Sequence, residues 1–290
     1  MSSERLRRPA VPRSLRLGET TVTYLPDGAV QLSPLGWLRG STEADWRRYA
    51  DHLDADGYLT GSIGGLLVER DGRALLIDAG VGPVTAPAVP GARVGALTGG
   101  GLPASLAAAG RTPADIEAVA FTHLHIDHLG WAAHVPAGAG RPFLADAPYL
   151  FAGPEWRERA HAGDEGPGDA VLAALEPFVR TVTDGEEIFP GVRVRLGAGH
   201  TSGHTTYEID GGDRRLLAFG DVLHSPVQVG HPEWYADADA DREAATRSRR
   251  EVIGRLSEPG VVGFGGHFAD VVFGRVAPGQ DGPVWQPVDA

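Results

Sequence analysis

A histidine-rich segment constrains this chain more than any other feature of its sequence. Residues 122–130 read Thr-His-Leu-His-Ile-Asp-His-Leu-Gly and directly follow an apolar, strand-like run, residues 118–121. Neutral imidazole and ionised carboxylate are ligands for borderline-soft divalent metals. Because the chain has no cysteine, they are also its only strong zinc ligands. The segment therefore predicts a metal site at the end of a β-strand.

Further candidate ligands lie later in the chain, again where apolar runs end. His200, Asp221 and His267 each follow an apolar run and a glycine, which allows the backbone to approach a metal closely. His204 and His224 lie in the loops that two of these runs enter. A single histidine of this kind is usually structural, but several strand ends that all carry ligands favour one shared site.

The spacing within the first segment favours two metals. In extended backbone, residues two apart point the same way, so His123 and His125 can bind one ion together. If the chain becomes helical at Asp127, then Asp127 and His128 turn toward a second ion. Such a pair of divalent ions activates a bridging water. We expect zinc, although manganese, iron and cobalt accept the same ligands.

Composition excludes several classes of function. The formal charge of −12 and the lack of a basic stripe argue against nucleic-acid binding, which needs clustered cations. All 26 cations are arginines, so no lysine is available for Schiff-base chemistry. Without cysteine there is neither a disulfide nor a thiolate nucleophile. We therefore expect a small-molecule substrate.

Length and hydropathy predict a globular protein. At 290 residues, 42% hydrophobic and 22% charged, the chain can bury one large core. Residues 1–16 lack the apolar centre of a secretory signal, and no run reaches the length of a membrane helix. We expect a cytoplasmic protein without membrane contact.

The domain organisation is predicted to be simple. Residues 1–20 carry scattered arginines around two prolines and are predicted to form a loosely ordered arm. Residues 21–290 are predicted to form one domain, of which residues 21–60 are an aromatic extension. Within that extension, residues 21–32 predict a β-hairpin with its turn at Asp27.

The motifs, taken in order along the chain, resemble the metallo-β-lactamase fold hydrolase superfamily. No single motif is specific, but the ensemble is, and it covers roughly residues 60–275. The motifs in this sequence are Ile77-Asp78-Ala79-Gly80, His123-Leu124-His125-Ile126-Asp127-His128, Gly199-His200-Thr201-Ser202-Gly203-His204, Gly220-Asp221 and Gly266-His267.

The resemblance implies an α/β fold, an αββα sandwich of two mixed sheets flanked by helices, with the site at one edge of the sheets. It implies that His204 orients a ligating imidazole, and that Asp78 supports the site without being a ligand. It also implies the metal ligands: His123, His125 and His200 for the first ion, Asp127, His128 and His267 for the second, and Asp221 between them.

Within the superfamily, the chain is most similar to the methyl parathion hydrolase and lactonase group. That group has a histidine three residues after the bridging aspartate, where this chain has His224, followed by a long Arg- and Ala-rich helix, here residues 239–256. The bridging Asp221 argues against a true β-lactamase. One departure from the group is Phe268-Ala269-Asp270, where a proline-containing turn is expected after the last ligand.

These observations lead to a functional hypothesis, hydrolysis of an ester or lactone by a hydroxide bridging two metals. Asp127 would shuttle a proton, and His224 would bind the substrate carbonyl or protonate the leaving group, unless it is only structural. The substrate walls are predicted to be Trp37, Trp46, Tyr49, His231, Trp234 and Tyr235.

Alternatives remain open. The same metal pair fits phosphotriester or phosphodiester hydrolysis. A thioesterase or cyclisation enzyme that acts with a carrier protein is a second alternative, and a non-catalytic metal-binding domain is a third. The aromatic segment could also pack in the core or form a homodimer contact.

Overall fold

Two β-sheets lie face to face, and each carries helices on its outer side. A computed structural model describes residues 3–161, 163 and 165–288. The strands of the first half of the chain are β1 (Arg13–Leu17), β2 (Thr20–Leu32), β3 (Leu38–Arg39), β4 (Leu59–Arg70), β5 (Arg73–Ile77), β6 (Thr85–Ala86), β7 (Val94–Thr98), β8 (Ala118–Ala120), β9 (Tyr149–Ala152) and β10 (Val179–Val182).

All of these strands except β3 belong to the first sheet, in the order β10-β9-β8-β5-β4-β2-β7-β6 with β1 beside β2. The remaining strands are β11 (Glu187–Phe189), β12 (Val192–Leu196), β13 (Thr205–Asp210), β14 (Arg215–Ala218), β15 (Tyr235–Ala236), β16 (Val261–Phe264), β17 (Phe273–Gly279) and β18 (Gly282–Pro287). They form the second sheet in the order β11-β12-β13-β14-β16-β17-β18, while β15 pairs with β3 in a small ribbon.

Short helices connect the strands and cover the sheets. The α-helices are α1 (Pro34–Trp37), α2 (Glu43–Arg48), α3 (Leu102–Ala108), α4 (Ile126–Ala133), α5 (Gly153–Arg157), α6 (Asp169–Leu175) and α7 (Arg242–Leu256). Single 3-10 turns occupy Ser3–Arg7, Ala50–His52, Pro113–Asp115, Arg159–His161, Glu176–Phe178, Gly220–Val222 and Pro226–Val229. No helix within the described residues is both long enough and apolar enough to cross a bilayer.

The alternation of side chains in β4 explains the layers. Successive residues of a strand point to opposite faces, so Leu66 and Val68 enter the core shared by the two sheets, where Ile209 of β13 also lies. Leu67, between them, faces the other way and packs with Leu106 of α3. On the far side of the second sheet, α7 packs over β14 in a third cluster. The predicted αββα sandwich is confirmed.

The prediction of a loose N-terminal arm is wrong for the residues that the structure describes. β1 pairs antiparallel with β2, and the preceding residues are tied to the far end of the chain. Arg8 and Arg13 both contact the carboxylate of Asp270, whose side chain is fully buried. Arginines that look like scattered surface charges in the sequence therefore dock this segment. Met1 and Ser2 lie outside the described residues.

The predicted hairpin over residues 21–32 is also wrong. β2 runs straight through this region and contains a bulge between Pro26 and Gly28, so the chain does not reverse there. The bulge turns Asp27 inward, where its carboxylate accepts hydrogen bonds from the backbone N–H groups of Val81 and Leu102 and from the Trp131 indole. A polar residue that resembles a turn signal instead anchors a neighbouring loop from inside the protein.

Candidate metal centre

Strand ends deliver the predicted ligands to one edge of the sandwich. β5 and β8 are parallel neighbours in the first sheet, and β14 and β16 are parallel neighbours in the second. Parallel neighbours end at the same edge, so the segments that follow these strands meet there. Asp78 follows β5, His123 follows β8, Asp221 follows β14 and His267 follows β16.

The local backbone explains how one short motif serves two positions. His123 and His125 lie in the segment between β8 and α4, and α4 begins at Ile126, with His125 as its N-cap residue. Asp127 and His128 therefore project from the first turn of a helix. The predicted change from extended to helical backbone occurs one residue earlier than Asp127.

The ligand-type side chains fall into two groups. One ligand atom from each of His123, His125, His200 and Asp221 lies within 4.8 Å of the other three. A second group is formed by Asp127, His128 and His267 under the same limit. We call them the first and second ligand groups. The structure thus brings together all the residues that the sequence predicts as metal ligands, in the predicted division.

Asp221 lies between the groups and presents one oxygen to each. Its Oδ1 is 3.2 Å from Nε2 of His128 and 3.2 Å from Nε2 of His267. Its Oδ2 is 3.5 Å from Nε2 of His200 and 3.8 Å from Nε2 of His123. A carboxylate in this position can bind two cations at once, one through each oxygen.

The outward ring nitrogens of four histidines have partners that fix ring orientation. Nδ1 of His128 lies 2.9 Å from the Asp78 carboxylate, and Nδ1 of His200 lies 3.0 Å from the Asp239 carboxylate. Nδ1 of His267 bonds to the Ser62 carbonyl at 2.8 Å, and Nδ1 of His123 lies 3.0 Å from the Thr122 hydroxyl. In metal sites such partners select the tautomer and aim the other nitrogen at the ion.

The inner atoms fit metal ions better than they fit one another. Within the described residues, His123 Nε2 and Asp221 Oδ1 are buried and form no well-aligned hydrogen bond. Buried polar atoms without partners are rare and call for an explanation. Imidazole nitrogens and carboxylate oxygens converging on two points match the donor set of divalent zinc or a similar ion. The residues present therefore fit two metal ions.

The charge balance of the centre leads to the same conclusion. Burial, together with the nearby His128 and His125, lowers the pKa of His123 well below its usual range, which keeps the ring in its neutral, ligating form. Burial also disfavours a charge on His128 and His267, but Asp221 and the neighbouring carboxylates outweigh it and raise both pKa values. The buried carboxylates thus attract positive charge to these two rings, and bound cations would supply that charge instead.

Asp78 holds the second group in place, as the resemblance implies. Its carboxylate accepts hydrogen bonds from the backbone N–H and the hydroxyl of Thr122 and contacts His128 Nδ1 at 2.9 Å. Its backbone has a φ of +59°, which is uncommon for an aspartate. The fold therefore uses a costly backbone conformation to aim this carboxylate.

His204 lies behind the ligands and supports the segment that carries Asp221. Its Nε2 accepts a hydrogen bond of 3.0 Å from the backbone N–H of Asp221, and its ring centroid lies 5.2 Å from that of His123. The neighbouring Gly220 has a φ of +50°, and a Cβ there would lie 2.8 Å from His204 Nε2. Glycine at position 220 is therefore required both for its backbone angle and for the room that His204 occupies.

The sequence reasoning missed two buried acids beside the first group. The sequence predicts Asp239 as the start of a helix over residues 239–256, but α7 begins at Arg242, with Asp241 as its N-cap residue. Asp239 instead bonds to His200 and to the fully buried Arg249. Its pKa is lowered to about 2, because these hydrogen bonds and charges outweigh the effect of burial. The only sequence signal was its position just before a helix.

Glu155 is the second missed acid. Its Oε1 accepts the backbone N–H of Leu124 at 2.8 Å, between two ligands of the first group. Its Oε2 accepts the Thr201 hydroxyl at 2.7 Å and the Gly203 N–H at 2.9 Å, beside His200. One buried carboxylate therefore ties together the two loops that carry the first group. Nothing in the local sequence marks it.

An apolar cleft opens next to the centre. His224 is buried at its inner end, with Nε2 3.1 Å from Asp221 Oδ2 and its ring edge-on to Trp37 at 5.6 Å. Burial lowers the pKa of His224 despite the nearby Asp221. Asp127 also borders the cleft, and its side chain is 26% exposed. The apolar wall is formed by Val30, Leu32, Trp37, Ile63, Val81 and Leu97.

Of the predicted substrate walls, Trp37 borders this cleft and the others pack behind it. Trp46 packs on Trp234, and His231 stacks on Trp234 at 3.9 Å while bonding to the Tyr49 hydroxyl at 2.7 Å. Tyr235 lies in the β15–β3 ribbon with the Arg242 guanidinium over its ring. These aromatic residues support Trp37 from outside. The N-terminal extension therefore lines the cleft through Trp37 and packs behind it through Trp46 and Tyr49.

Comparison with known proteins adds to this picture. The profile of the metallo-beta-lactamase superfamily matches residues 65–259. The dizinc quorum-quenching lactonase AidC, solved with a product bound, superimposes with a TM-score of 0.81 over 96% of this chain and 98% of that chain, at 22% identity. A probable metal-dependent hydrolase from Staphylococcus aureus gives 0.79 over 95% and 99%, at 18% identity. These structural likenesses establish the fold.

A curated relative is closer in sequence but matches over a shorter stretch. A probable metallo-hydrolase of Mycobacterium tuberculosis is 29% identical over 182 residues, which is 55% of this chain and 56% of that protein. The chain therefore spans little more than half the length of the curated relative.

Proposed function

This chain belongs to the metallo-beta-lactamase superfamily, as its motifs predict, and on that premise we propose that it uses two divalent metal ions to hydrolyse a lactone or another carboxylic ester. The observation that carries this proposal is the position of Asp221. Each of its oxygens faces a separate ligand group, with Oδ1 3.2 Å from His267 and Oδ2 3.5 Å from His200.

Metal ions held by these two groups would lower the pKa of a water between them and polarise the substrate carbonyl. Zinc is the proposed metal, because the ligands are imidazoles and carboxylates and because the AidC neighbour is described as a dizinc enzyme. The first ion would be held by His123, His125 and His200, the second by Asp127, His128 and His267, and Asp221 would contact both.

The side chains around the ions have separate tasks in this proposal. Hydrolysis adds water across the ester bond: a hydroxyl joins the acyl carbon, the carbon–oxygen bond breaks, and a proton passes to the alcohol oxygen. Asp127 is the proton carrier, because its carboxylate is partly exposed and borders the cleft. His224 donates a hydrogen bond to a substrate oxygen, and the wall containing Trp37 binds the apolar part of the substrate.

The apolar cleft supports lactones and esters over the alternatives. Among the described residues that line the cleft there is no arginine that could neutralise a charged phosphodiester, and Glu165 adds a carboxylate to the lining. The AidC neighbour is a lactonase, which agrees with this preference. The proposal is tested with a panel of lactones, aryl esters, thioesters and phosphotriesters. Fastest turnover of a lactone or ester supports it, whereas fastest turnover of a phosphotriester or thioester contradicts the proposed substrate class.

The first prediction concerns metal content. Purified protein is expected to contain about two transition-metal ions per chain, one for each ligand group. Removing them with a chelator is expected to abolish hydrolysis and lower the midpoint of thermal unfolding, since a bound ion stabilises the folded state. Elemental analysis and thermal unfolding with and without added Zn²⁺ measure both effects. One ion per chain at saturating zinc would contradict the two-metal centre.

The second prediction concerns His224. Replacing it with phenylalanine keeps a ring in the cleft but removes its hydrogen-bond donor. Turnover is therefore expected to fall by about 100-fold or more, with both metal ions retained. The matched control is His134→Phe, since His134 lies at the end of α4 against Trp131. If His224→Phe turns over substrate at the wild-type rate, the role of His224 is only structural.

A further inference from the structure

We propose that the N-terminal segment, residues 3–17, is a positioning element for the second metal ion and acts on its ligand His267 through Asp270. This inference rests on the two-metal centre proposed above. It assigns a function to residues that lie 250 or more positions before His267 in the sequence, and to the Phe268-Ala269-Asp270 turn, in which this chain departs from the group that it resembles.

The N-terminal segment is hydrogen-bonded to Asp270, in the turn that follows His267. Its side chain is completely buried, with Oδ1 2.7 Å from Arg13 Nη2 and Oδ2 2.8 Å from Arg8 Nη2. The backbone is held as well, because the Arg5 guanidinium donates to the Asp270 carbonyl at 2.6 Å and the Asp270 N–H donates to the Arg5 carbonyl at 3.0 Å. Charge-assisted bonds of this kind are strong and directional.

A second connection runs through Ser62. The backbone N–H of Ala10 donates to Ser62 Oγ at 2.8 Å, and that hydroxyl donates to the Ala269 carbonyl at 3.0 Å. The carbonyl of the same Ser62 accepts the hydrogen bond from His267 Nδ1 at 2.8 Å. The segment therefore touches both the turn after the ligand and the residue that sets the orientation of the ligand ring.

The conformation of the turn explains why it needs this support. Ala269 has a φ of +42°, a left-handed conformation that a residue with a Cβ adopts only when its surroundings impose it. Here the arginine bonds to Asp270 and the hydrogen bond from Ser62 to the Ala269 carbonyl impose this conformation. If they are removed, the turn is free to relax, and Nε2 of His267 loses its fixed direction toward the second ion.

The effect is expected to be confined to one ion, because the first ligand group is held by other residues. His200 is oriented by Asp239, and the loops of the first group are tied together by Glu155. A general loss of stability would weaken the binding of both ions equally. A positioning role weakens the binding of the second ion alone.

The test is a zinc titration of metal-free protein in competition with a chromophoric chelator, which resolves two binding steps. The double variant Arg8→Ala/Arg13→Ala is expected to raise the dissociation constant of one step about tenfold, as for other residues that orient metal ligands, and to leave the other step unchanged. The affected step must be the one that His267→Ala abolishes. Asp270→Asn is expected to give the same result.

The matched control is Arg7→Ala, because Arg7 lies in the same segment but bonds to Asp51 and not to Asp270. It is expected to leave both steps unchanged. Equal weakening of both steps, no weakening, or an equal effect of Arg7→Ala would overturn the inference while leaving the two-metal proposal intact. Wild-type protein that binds a single zinc ion would overturn both.

Discussion

Replacing Asp221 with alanine is expected to cause the largest loss of any single substitution in this protein. Both ligand groups lose their shared member, since Oδ1 faces His128 and His267 and Oδ2 faces His200 and His123. Residues that only orient a metal ligand typically contribute 10- to 100-fold to affinity. Loss of a carboxylate shared by two ions is expected to exceed about 100-fold for each ion and to abolish hydrolysis.

Two measurements check this expectation. Zinc titration is expected to show that both steps are weakened in Asp221→Ala, in contrast to the single step affected by Arg8→Ala/Arg13→Ala. Hydrolysis measured at saturating zinc is also expected to be lost in the variant, because no carboxylate is left between the two ligand groups. The control is Asp213→Ala, in the exposed loop between β13 and β14. If Asp221→Ala keeps two tightly bound ions, the shared role of Asp221 is wrong.

The ligands could be predicted from the sequence because their information is local. His123, His125, Asp127 and His128 lie within a single strand end and the first turn of α4, so short-range periodicity fixes which way each side chain points. Later ligands such as Asp221 follow their own strands with glycine before them. The predicted fold and the predicted superfamily are confirmed for the same reason, since both depend on the order of such strand ends.

Supporting residues that lie outside the motifs could not be predicted, because their partners are far away in the sequence. The bond from Asp239 to His200 spans 39 residues, and the bond from Arg8 to Asp270 spans 262. The neighbouring residues suggest a common structural role for each acid, since Asp239 resembles a helix start and Asp270 resembles a turn residue. Only tertiary contacts distinguish these carboxylates from the surface acids that give the chain its net charge of −12. The same holds for Asp27, since its five donors are the backbone N–H groups of residues 81, 82, 100 and 102 and the indole of Trp131, all more than 50 residues away in the sequence.

Glu155 shows how much such a residue can contribute to the free energy of unfolding. Glu155→Ala leaves three buried donors without an acceptor, the N–H groups of Leu124 and Gly203 and the hydroxyl of Thr201. Each unsatisfied buried donor costs about 1–3 kcal/mol, so the free energy of unfolding is expected to fall by at least about 3 kcal/mol. Gly203 packs so closely that a Cβ there would lie 2.2 Å from the Glu155 backbone, so the loops cannot simply close over the gap.

The effect of Glu155→Ala on zinc is expected to mirror that of the N-terminal segment. The loops it joins carry His123, His125 and His200, so the step belonging to the first ligand group weakens, and the step that His267→Ala abolishes stays unchanged. Urea unfolding and the zinc titration measure both effects, and Glu158→Ala, an exposed neighbour, is the control. If Glu155→Ala and Arg8→Ala/Arg13→Ala weaken the same step, the two ions share one support. If the two variants weaken different steps, each ion is held in place by its own long-range contacts. Either ligand group can then be altered without the other.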